Sequence, residues 1–272
     1  MSPVALRRRF DRAARLYEDA AKLDAEIGAR MLERLDYVRV TPGRVLDAGA
    51  GTGRDAHALA RRYPQAAVIA LDHSTGMLRQ GLASRNLLER LRRRGARAVC
   101  ADIARLPFAA GSLDLVWSNL VLHWFDEPQP ALREFARVLQ PGGLLMFSTY
   151  GPDTFLELGE SRGRSFVDMH DLGDMLAGNG FSNPVMDMER LTLSYDDAAA
   201  FVADLRATAQ ARLAAGRGRI AALPAELDAL RSGQRLTITF EIVYGHAWKA
   251  AQGRTAEGHA VVSAAILKRA PR

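Results

Sequence analysis

Residues 45–53 read VLDAGAGTG, and this stretch decides the predicted fold. The apolar run that opens it is typical of a short buried strand, and the segment GRDAHALARRY that follows has the pattern of a helix. Gly49, Gly51 and Gly53 would let the chain turn tightly and let a ligand approach the backbone closely. A strand, a glycine loop and a helix in this order predict a nucleotide-binding unit.

Alternating strands and helices continue along the chain as far as residue 150. Such alternation predicts a Rossmann-like α/β fold, with a mostly parallel sheet and helices on both faces. The ligand is then expected at the carboxyl ends of the strands. The further predicted strands are AVIALD (67–72), ARAVCAD (96–102), SLDLVWSN (112–119) and LLMFSTY (144–150), and the predicted helices are 74–95 and 128–139, the latter stopped by Pro141-Gly142-Gly143.

The flanking segments predict additions to this core. Residues 196–231 have helical character with a loop at Gly216 and Gly218. They lie between two long strand candidates, which start near 183 and 236. Such an insertion either covers a substrate site or only packs on the sheet. We expect a helical lid in 1–40, a nucleotide-binding core in 41–195, a helical insertion in 196–235, and C-terminal strands in 236–272 that complete a seven-stranded sheet and include a weaker extended segment, HAVVSAAILK.

The glycine loop favours a cationic nucleotide over a dinucleotide. Its spacing is G-x-G-x-G, and Arg54 stands where the dinucleotide pattern requires a small residue. Asp47 precedes the loop, and its carboxylate would repel a pyrophosphate but attract the sulfonium and ammonium groups of S-adenosylmethionine (SAM). Charge therefore indicates SAM rather than NAD as the cofactor.

Two more carboxylates come at strand ends. Asp72 ends the second strand, where it can accept hydrogen bonds from both ribose hydroxyls. Asp102 ends the third, where it can accept from the adenine amino group while the N–H of Ile103 faces the ring. Each aspartate alone would be more simply a helix cap or turn residue. Three of them at successive strand ends, together with the glycine loop, favour a SAM site.

At this point the sequence resembles the class I SAM-dependent methyltransferases over residues 45–150, through VLDAGAGTG, IALDHSTGML, ADIARLPF, LDLVWSNLVLHW and LQPGGLLMFSTY. The resemblance implies that Met77 packs on adenine, although plain core packing is an equal alternative. It also implies that Asn119 lies near methionine and the methyl acceptor, although Asn can simply cap a turn. The candidate cofactor-binding residues are Asp47, Gly49, Ala50, Gly51, Gly53, Asp72, His73, Met77, Asp102, Ile103 and Asn119.

Three segments outside the glycine loop resemble one particular family among these methyltransferases. RRRFDRAARLYEDAA, SNLVLHWFDEP and FVDMHDLGDMLAGNGFSNPVMDMERLTLSYDD are similar to segments of the malonyl-[acyl-carrier protein] O-methyltransferases of biotin synthesis. The likeness implies esterification of the free carboxylate of a malonyl thioester. Assembly factors of respiratory complex I share LHW and a late aromatic-rich strand, and a small-molecule methyltransferase is a further alternative.

The implied acceptor needs no general base, because a malonyl carboxylate is ionised at neutral pH. We therefore expect proximity and alignment to carry catalysis. No residue is a firm catalytic candidate. The candidates for substrate contact are Tyr17, His123, Trp124 and Tyr150.

Composition bears on partners and compartment. The formal charge is +6, and two arginine clusters are either solvated faces or a surface for an acidic carrier protein. The single Cys100 is expected to be a packed strand residue, and a cytoplasmic location follows by default. We expect no metal site, no nucleic-acid partner and no membrane association. The clusters are Arg7, Arg8, Arg9, Arg12 and Arg15, and Arg90, Arg92, Arg93, Arg94 and Arg97.

Overall fold

The computed structural model describes residues 3–83, 96–161, 166–215, 222–228 and 235–250. The strands in these ranges are β1 (Arg44–Ala48), β2 (Ala67–Asp72), β3 (Arg97–Cys100), β4 (Leu113–Ser118), β5 (Leu139–Tyr150), β6 (Phe181–Tyr195) and β7 (Leu236–Lys249). They form one seven-stranded sheet in the order β3-β2-β1-β4-β5-β7-β6. The first five are parallel, and β7 lies antiparallel between β5 and β6. This topology confirms the predicted fold class.

The helices lie before, between and after these strands. The described α-helices are α1 (Pro3–Ala20), α2 (Lys22–Arg34), α3 (Arg54–Arg62), α4 (Thr75–Ala83), α5 (Gln129–Val138), α6 (Met169–Gly178), α7 (Ala198–Ala207), α8 (Ala211–Ala215) and α9 (Leu223–Asp228). Short 3₁₀ turns span Leu35–Tyr37, Leu122–Trp124 and Leu156–Ser161. None of the helices in the described ranges is long and apolar enough to cross a bilayer.

Side chains alternate between the two faces of the central strands, and each face is covered. Val45, Leu115 and Trp117 pack with α2, α3 and the helices after β6, whereas Leu46 and Val116 pack with α5 and α6. Burial on both faces explains why these strands read as almost continuous apolar runs. The helices of the insertion therefore pack on one face of the sheet, which is the second of the two predicted alternatives for this segment.

The topological switch point lies between β1 and β4. These strands are neighbours in the sheet, although β2 and β3 come between them in the chain. The chain leaves β1 toward one edge of the sheet and returns to β4 toward the other, which opens a crevice at the carboxyl ends of both strands. The glycine loop follows β1, so it lies at this crevice.

The fifth strand begins earlier than predicted. Helix α5 ends at Val138, and β5 starts at Leu139, which pairs with Leu113 of β4. The register then shifts before Leu144, so Pro141-Gly142-Gly143 form an irregularity in the strand rather than the helix stop that the sequence predicts. Gly142 has φ +78°, a conformation that suits glycine in such a bulge.

Some predicted elements are only partly described. The helix predicted over 74–95 is described as α4 up to Ala83, and its remainder lies outside the described residues. The helical stretch 196–231 contains α7, α8 and α9, whereas Gly216, Gly218 and the predicted segment HAVVSAAILK lie outside the described ranges.

Candidate active site

The glycine loop has the left-handed backbone that its sequence predicts. Gly49, Gly51 and Gly53 have φ values of +85°, +54° and +83°. The N–H groups of Gly49 and Ala50 donate to the carbonyl of Leu71 at 2.8 and 2.9 Å, which ties the loop to β2. A Cβ atom on Gly49 would come within 2.3 Å of a Val121 methyl carbon. Only glycine therefore fits at this turn, which connects β1 to α3 and lies against the segment after β4.

Asp72 is buried at the end of β2 and is bonded to the loop. Its Oδ2 accepts from the N–H of Gly51 at 2.9 Å, and its Oδ1 accepts from the N–H of Ser74 at 2.7 Å. Burial raises the pKa of Asp72, and His73 and these hydrogen bonds oppose the rise. Because a carboxylate offers about four acceptor positions, two ribose hydroxyls could bond to the remaining lone pairs.

A cavity of about 470 Å³ opens beside the ends of β2, β3 and β4. Among the predicted cofactor residues, Gly49, His73, Asp102 and Ile103 line it, as does the substrate candidate Trp124. The other lining residues were not predicted. Those of α1 belong to no nucleotide-binding motif, and those at the end of β3 and after β4 adjoin predicted contacts but were not expected to face a ligand. These other residues are Val4, Leu6, Arg7, Cys100, Ala101, Val121, Phe125 and Asp126.

Asp102 and Cys100 lie on the rim of this cavity. Asp102 is exposed, and its Oδ1 accepts from the N–H of Ala104 at 2.9 Å, so it stabilises a turn while lining the cavity. The prediction that Cys100 is a packed strand residue is wrong, because its side chain is exposed. β3 is the edge strand of the sheet, and Cys100 ends it at the open cavity.

A smaller cavity of about 40 Å³ lies on the other side of the glycine loop. Asp47 lines it and is almost completely buried, and its Oδ2 has no hydrogen-bond partner among the described residues. Burial, with Asp55 and Asp72 nearby, holds the pKa of Asp47 well above its usual range. An unpaired buried acceptor of this kind suits a positively charged ligand group, which is the chemistry expected of the methionine end of SAM.

Asn119 lies in the same place but bonds to the protein. Its Nδ2 donates to Asp55 Oδ2 at 2.9 Å and to the carbonyl of Asp24 at 3.0 Å, and its Oδ1 accepts from Ser148 Oγ at 2.7 Å. Asp55 also accepts from Trp117 Nε1 at 3.0 Å. Asn119 thus joins the ends of β4 and β5 to α2 and α3 at the wall of the cavity, which Asp24 and Asp55 also line. Asp24 and Asp55 carry no sequence signal that separates them from ordinary helix residues.

Met77 is fully buried and does not line either of these cavities. It packs with Ala13 and Ala14 of α1, with Ala209, and with the partly buried Phe10. This position corresponds to the core-packing alternative for Met77.

Helix α1 covers the glycine loop and is bonded to it. Glu18 accepts hydrogen bonds from Thr52 Oγ1 and from Arg54 Nη2, the latter at 2.5 Å. Near the middle of the helix, Asp11 Oδ1 accepts from Ser74 Oγ at 2.7 Å and from the N–H of Gly76 at the start of α4. The N-terminal helices therefore close the crevice from above.

The four candidates for substrate contact occupy two levels. Tyr17 Oη donates to Asp24 Oδ1 at 2.9 Å, and Trp124 meets the ring of Phe10 edge-on at 5.2 Å between centroids. His123 and Tyr150 lie deeper, with their rings stacked at 4.3 Å and both nearly or fully buried. His123 and Trp124 follow β4, Tyr150 ends β5, and Tyr17 belongs to the helix that covers these strand ends.

Among the described residues, no three His, Cys, Asp or Glu side chains are arranged to hold a metal ion.

Comparison with known proteins gives the family context of this site. Residues 46–147 match the family model described as a methyltransferase domain. The chain is 48% identical to the malonyl-[acyl-carrier protein] O-methyltransferase of Laribacter hongkongensis, with 90% of this chain and 89% of that protein covered. It is 46% identical to the protein of the same name from Methylovorus sp. (90% and 88% covered) and 36% identical to that of Legionella pneumophila (92% of each).

Solved structures share the fold at low sequence identity. The YcgJ protein from Bacillus subtilis matches with a TM-score of 0.61 at 17% identity, covering 82% of this chain and 98% of that one. Phosphoethanolamine N-methyltransferase 2 of Haemonchus contortus, solved in complex with SAM, matches with a TM-score of 0.59 at 17% identity, covering 88% and 57%.

Proposed function

Since the chain belongs to the malonyl-[acyl-carrier protein] O-methyltransferase family of class I SAM-dependent methyltransferases, we propose that it converts the free carboxylate of a malonyl group on an acyl carrier protein to its methyl ester. The observation that carries this proposal is the identity of 36–48% over about nine-tenths of the chain to proteins of that name. This coverage extends well beyond residues 46–147, which the methyltransferase-domain model matches.

SAM is the cofactor, and it supplies an electrophilic methyl group on a positively charged sulfur atom. We assign the buried carboxylate of Asp47 to the positive charge of the methionine end, beside Gly49, Ala50, Gly51 and Gly53. Asp72 receives the ribose hydroxyls, and the rim of the larger cavity, with His73, Asp102 and Ile103, receives adenine. Asn119 lines the smaller cavity beside Asp47 and holds Asp55, whereas Met77 acts behind the site by packing on α1.

The acceptor carboxylate is already a nucleophile at neutral pH, since ordinary carboxyl groups have pKa values near 4. The protein's work is therefore to hold it in line with the methyl group and to exclude water. Helix α1 closes the crevice through Glu18 and brings Tyr17 over the glycine loop. Tyr17, Trp124 and the His123–Tyr150 stack form the walls that we assign to the malonyl group.

Esterification removes a charge that an apolar enzyme tunnel would exclude, because transferring an unpaired carboxylate out of water is costly. The methyl ester can then be elongated by fatty-acid enzymes as an apolar chain. This is the logic of an early step in biotin synthesis.

The carrier protein docks, in this proposal, on the outer face of α1. Arg8, Arg12 and Arg15 are exposed and lie one helical turn apart on that face, and Leu16 beside them has 62% of its surface exposed. The N-terminal end of the same helix lines the larger cavity through Val4, Leu6 and Arg7. A strongly acidic carrier held there has its thioester arm beside the opening. In the second cluster, Arg97 begins β3, while Arg90 and Arg92–Arg94 lie outside the described residues.

The test is to incubate the protein with SAM and malonyl-carrier protein and to weigh the carrier by mass spectrometry. We expect the malonyl-carrier to gain one CH₂ unit, and acetyl-carrier protein, which has no free carboxylate, to gain nothing. A malonyl-carrier of unchanged mass, from protein that binds SAM, would refute the proposed function.

A further inference from the structure

The turn that ends helix α7 has an unusual backbone. The N–H of Ala209 donates to the carbonyl of Arg206, and the N–H of Gln210 donates to that of Leu205, which is the hydrogen-bond pattern of a Schellman C-cap. The residue in the left-handed position of such a cap is usually glycine, but here it is Ala209 with φ +63°. A residue with a Cβ atom in this conformation is strained, so the side chain must have a compensating contact.

The methyl group of Ala209 has that contact in the helix that covers the site. It is buried in a small cluster with Ala13 and Ala14 of α1 and with Met77 of α4. The turn therefore joins the insertion to the cover of the SAM site. Its backbone is fixed on the other side too, because the carbonyl of Gln210 accepts from the N–H of Leu213 as α8 begins.

The next side chain in this rigid turn bonds to Tyr150, one of the candidates for substrate contact. Gln210 is buried, and its Oε1 accepts a hydrogen bond from Tyr150 Oη at 3.1 Å. The ring of Tyr150 is stacked on His123, with centroids 4.3 Å apart and an interplanar angle of 23°. Phe166 meets both rings edge-on, at 5.7 Å from Tyr150 and 6.1 Å from His123. Rotation of Tyr150 would therefore displace His123.

We propose that Gln210 is a positioning residue for the methyl acceptor: by holding the Tyr150 hydroxyl it fixes the Tyr150–His123 stack against which the malonyl group lies. This proposal rests on the proposed function. It gives the insertion a role in substrate recognition, although no residue of the insertion lines the two cavities at the glycine loop.

The hydrogen bond can carry this role because the ring of Tyr150 is surrounded by other aromatic rings. Tyr150 is fully buried, with Phe155 and Phe240 also within 6.3 Å between ring centroids. Aromatic contacts restrict the ring's position but not the direction of its hydroxyl, whereas loss of the acceptor would leave a buried O–H unsatisfied. The ring would then turn to satisfy it.

The chain offers a matched control for this bond. Tyr195 Oη donates to Asp204 Oδ2 at 3.0 Å, so a second tyrosine is held by the same insertion. The ring of Tyr195 packs on Phe201 and is not stacked on His123. Tyr195→Phe therefore removes a bond of the same kind without touching the proposed acceptor site.

The experiment compares Gln210→Met, Gln210→Glu, Tyr150→Phe and Tyr195→Phe by steady-state kinetics with malonyl-carrier protein. For Gln210→Met we expect KM for malonyl-carrier to rise about tenfold with the Kd for SAM unchanged, since one buried hydrogen bond is lost on the acceptor side only. Gln210→Glu keeps the acceptor and should retain a KM close to that of the wild type. Gln210→Met combined with Tyr150→Phe should cost no more than Gln210→Met alone.

A binding readout without turnover accompanies the kinetics. In the presence of S-adenosylhomocysteine, calorimetry measures how much more tightly malonyl-carrier binds than holo-carrier without malonate. Gln210→Met should lose that difference, and Tyr195→Phe should keep it. The inference is overturned if Gln210→Met leaves both KM and this difference unchanged, or if Tyr195→Phe reproduces its effects. If the wild-type protein methylates no malonyl-carrier, the proposed function fails instead.

Discussion

The N–H of Gly51 donates to Asp72 Oδ2 at 2.9 Å, so the glycine loop and the carboxylate at the end of β2 hold each other in place. Two parts of the sequence that each predict a nucleotide contact thus form one structural unit before any ligand binds. A change at Asp72 will be felt through the loop as well as through the lost ribose acceptor.

Asp72→Ala should weaken SAM binding roughly 100-fold, because hydrogen bonds to a charged group are lost at both ribose hydroxyls. Asp72→Asn keeps one acceptor oxygen and should weaken binding less. Calorimetry gives the two affinities, and circular dichroism checks that the fold persists. Equal, undiminished affinity in both variants would contradict our placement of the ribose.

The pH dependence of SAM binding should follow the buried carboxyl group of Asp47. Its raised pKa means that the folded protein retains a proton that the unfolded chain releases near pH 4, so the ligand-free protein loses stability as pH rises through that raised value. A bound positive charge favours the ionised form. Affinity for SAM should therefore increase as the pH rises from the ordinary carboxyl range, near pH 4, through the raised pKa of Asp47, with proton release on binding.

Titration calorimetry in two buffers of different ionisation enthalpy measures this proton release. S-adenosylhomocysteine lacks the sulfonium charge and should release fewer protons. Asp47→Asn cannot ionise and should flatten the pH dependence. Persistence of the full dependence in that variant would assign it to another of the buried carboxyl groups, such as Asp55, whose pKa is also raised by burial.

Glu18 should control how quickly SAM leaves. Glu18→Ala removes the bonds of the Glu18 side chain with Thr52 and Arg54, so we expect dissociation of SAM to become a few times faster with little change in the association rate. Stopped-flow displacement measures both rates. Glu26→Ala is the control, since it breaks only the exposed pair with Arg30 on α2 and should leave dissociation unchanged.

Docking on α1 predicts that the charge on the outer face of this helix controls the KM for malonyl-carrier protein. Replacing Arg8, Arg12 and Arg15 together by Glu should raise KM for malonyl-carrier about tenfold or more, and added salt should weaken the wild-type interaction. The affinity for SAM should not change. Arg133→Glu, an exposed position on α5, tests for a general effect of charge. A similar KM for the triple variant and the wild type would remove α1 as the docking surface.

The sequence predicts the parts of the fold that depend on local chemistry. The glycine loop requires positive φ, and the apolar runs of β1, β2 and β4 require burial on both faces, so both are visible in the pattern of residues. The start of β5 is not, because Pro141-Gly142-Gly143 indicates a break and only pairing with β4 reveals a strand with a bulge.

The sequence likewise predicts only those site residues whose role depends on their local position. Asp47 and Asp72 follow from their places beside the loop and at a strand end. Asp55, Glu18 and Gln210 do not, because the hydrogen-bond partners of each come from a distant part of the chain, and nothing in its neighbours marks it as different from a surface polar residue. Cys100 was misjudged for a related reason: exposure of a strand residue depends on its place in the sheet, and β3 lies at an edge.

Tyr195 pairs with Leu236, so β6 and β7 would form an ordinary antiparallel hairpin if nothing stood between them. The residues on either side of the segment 196–235 are therefore paired with each other in the sheet. The length and contents of this segment can therefore change without altering the register of any strand. On the proposed role of Gln210, exchanging this segment between relatives should change the acyl group that the enzyme accepts and leave SAM binding unchanged.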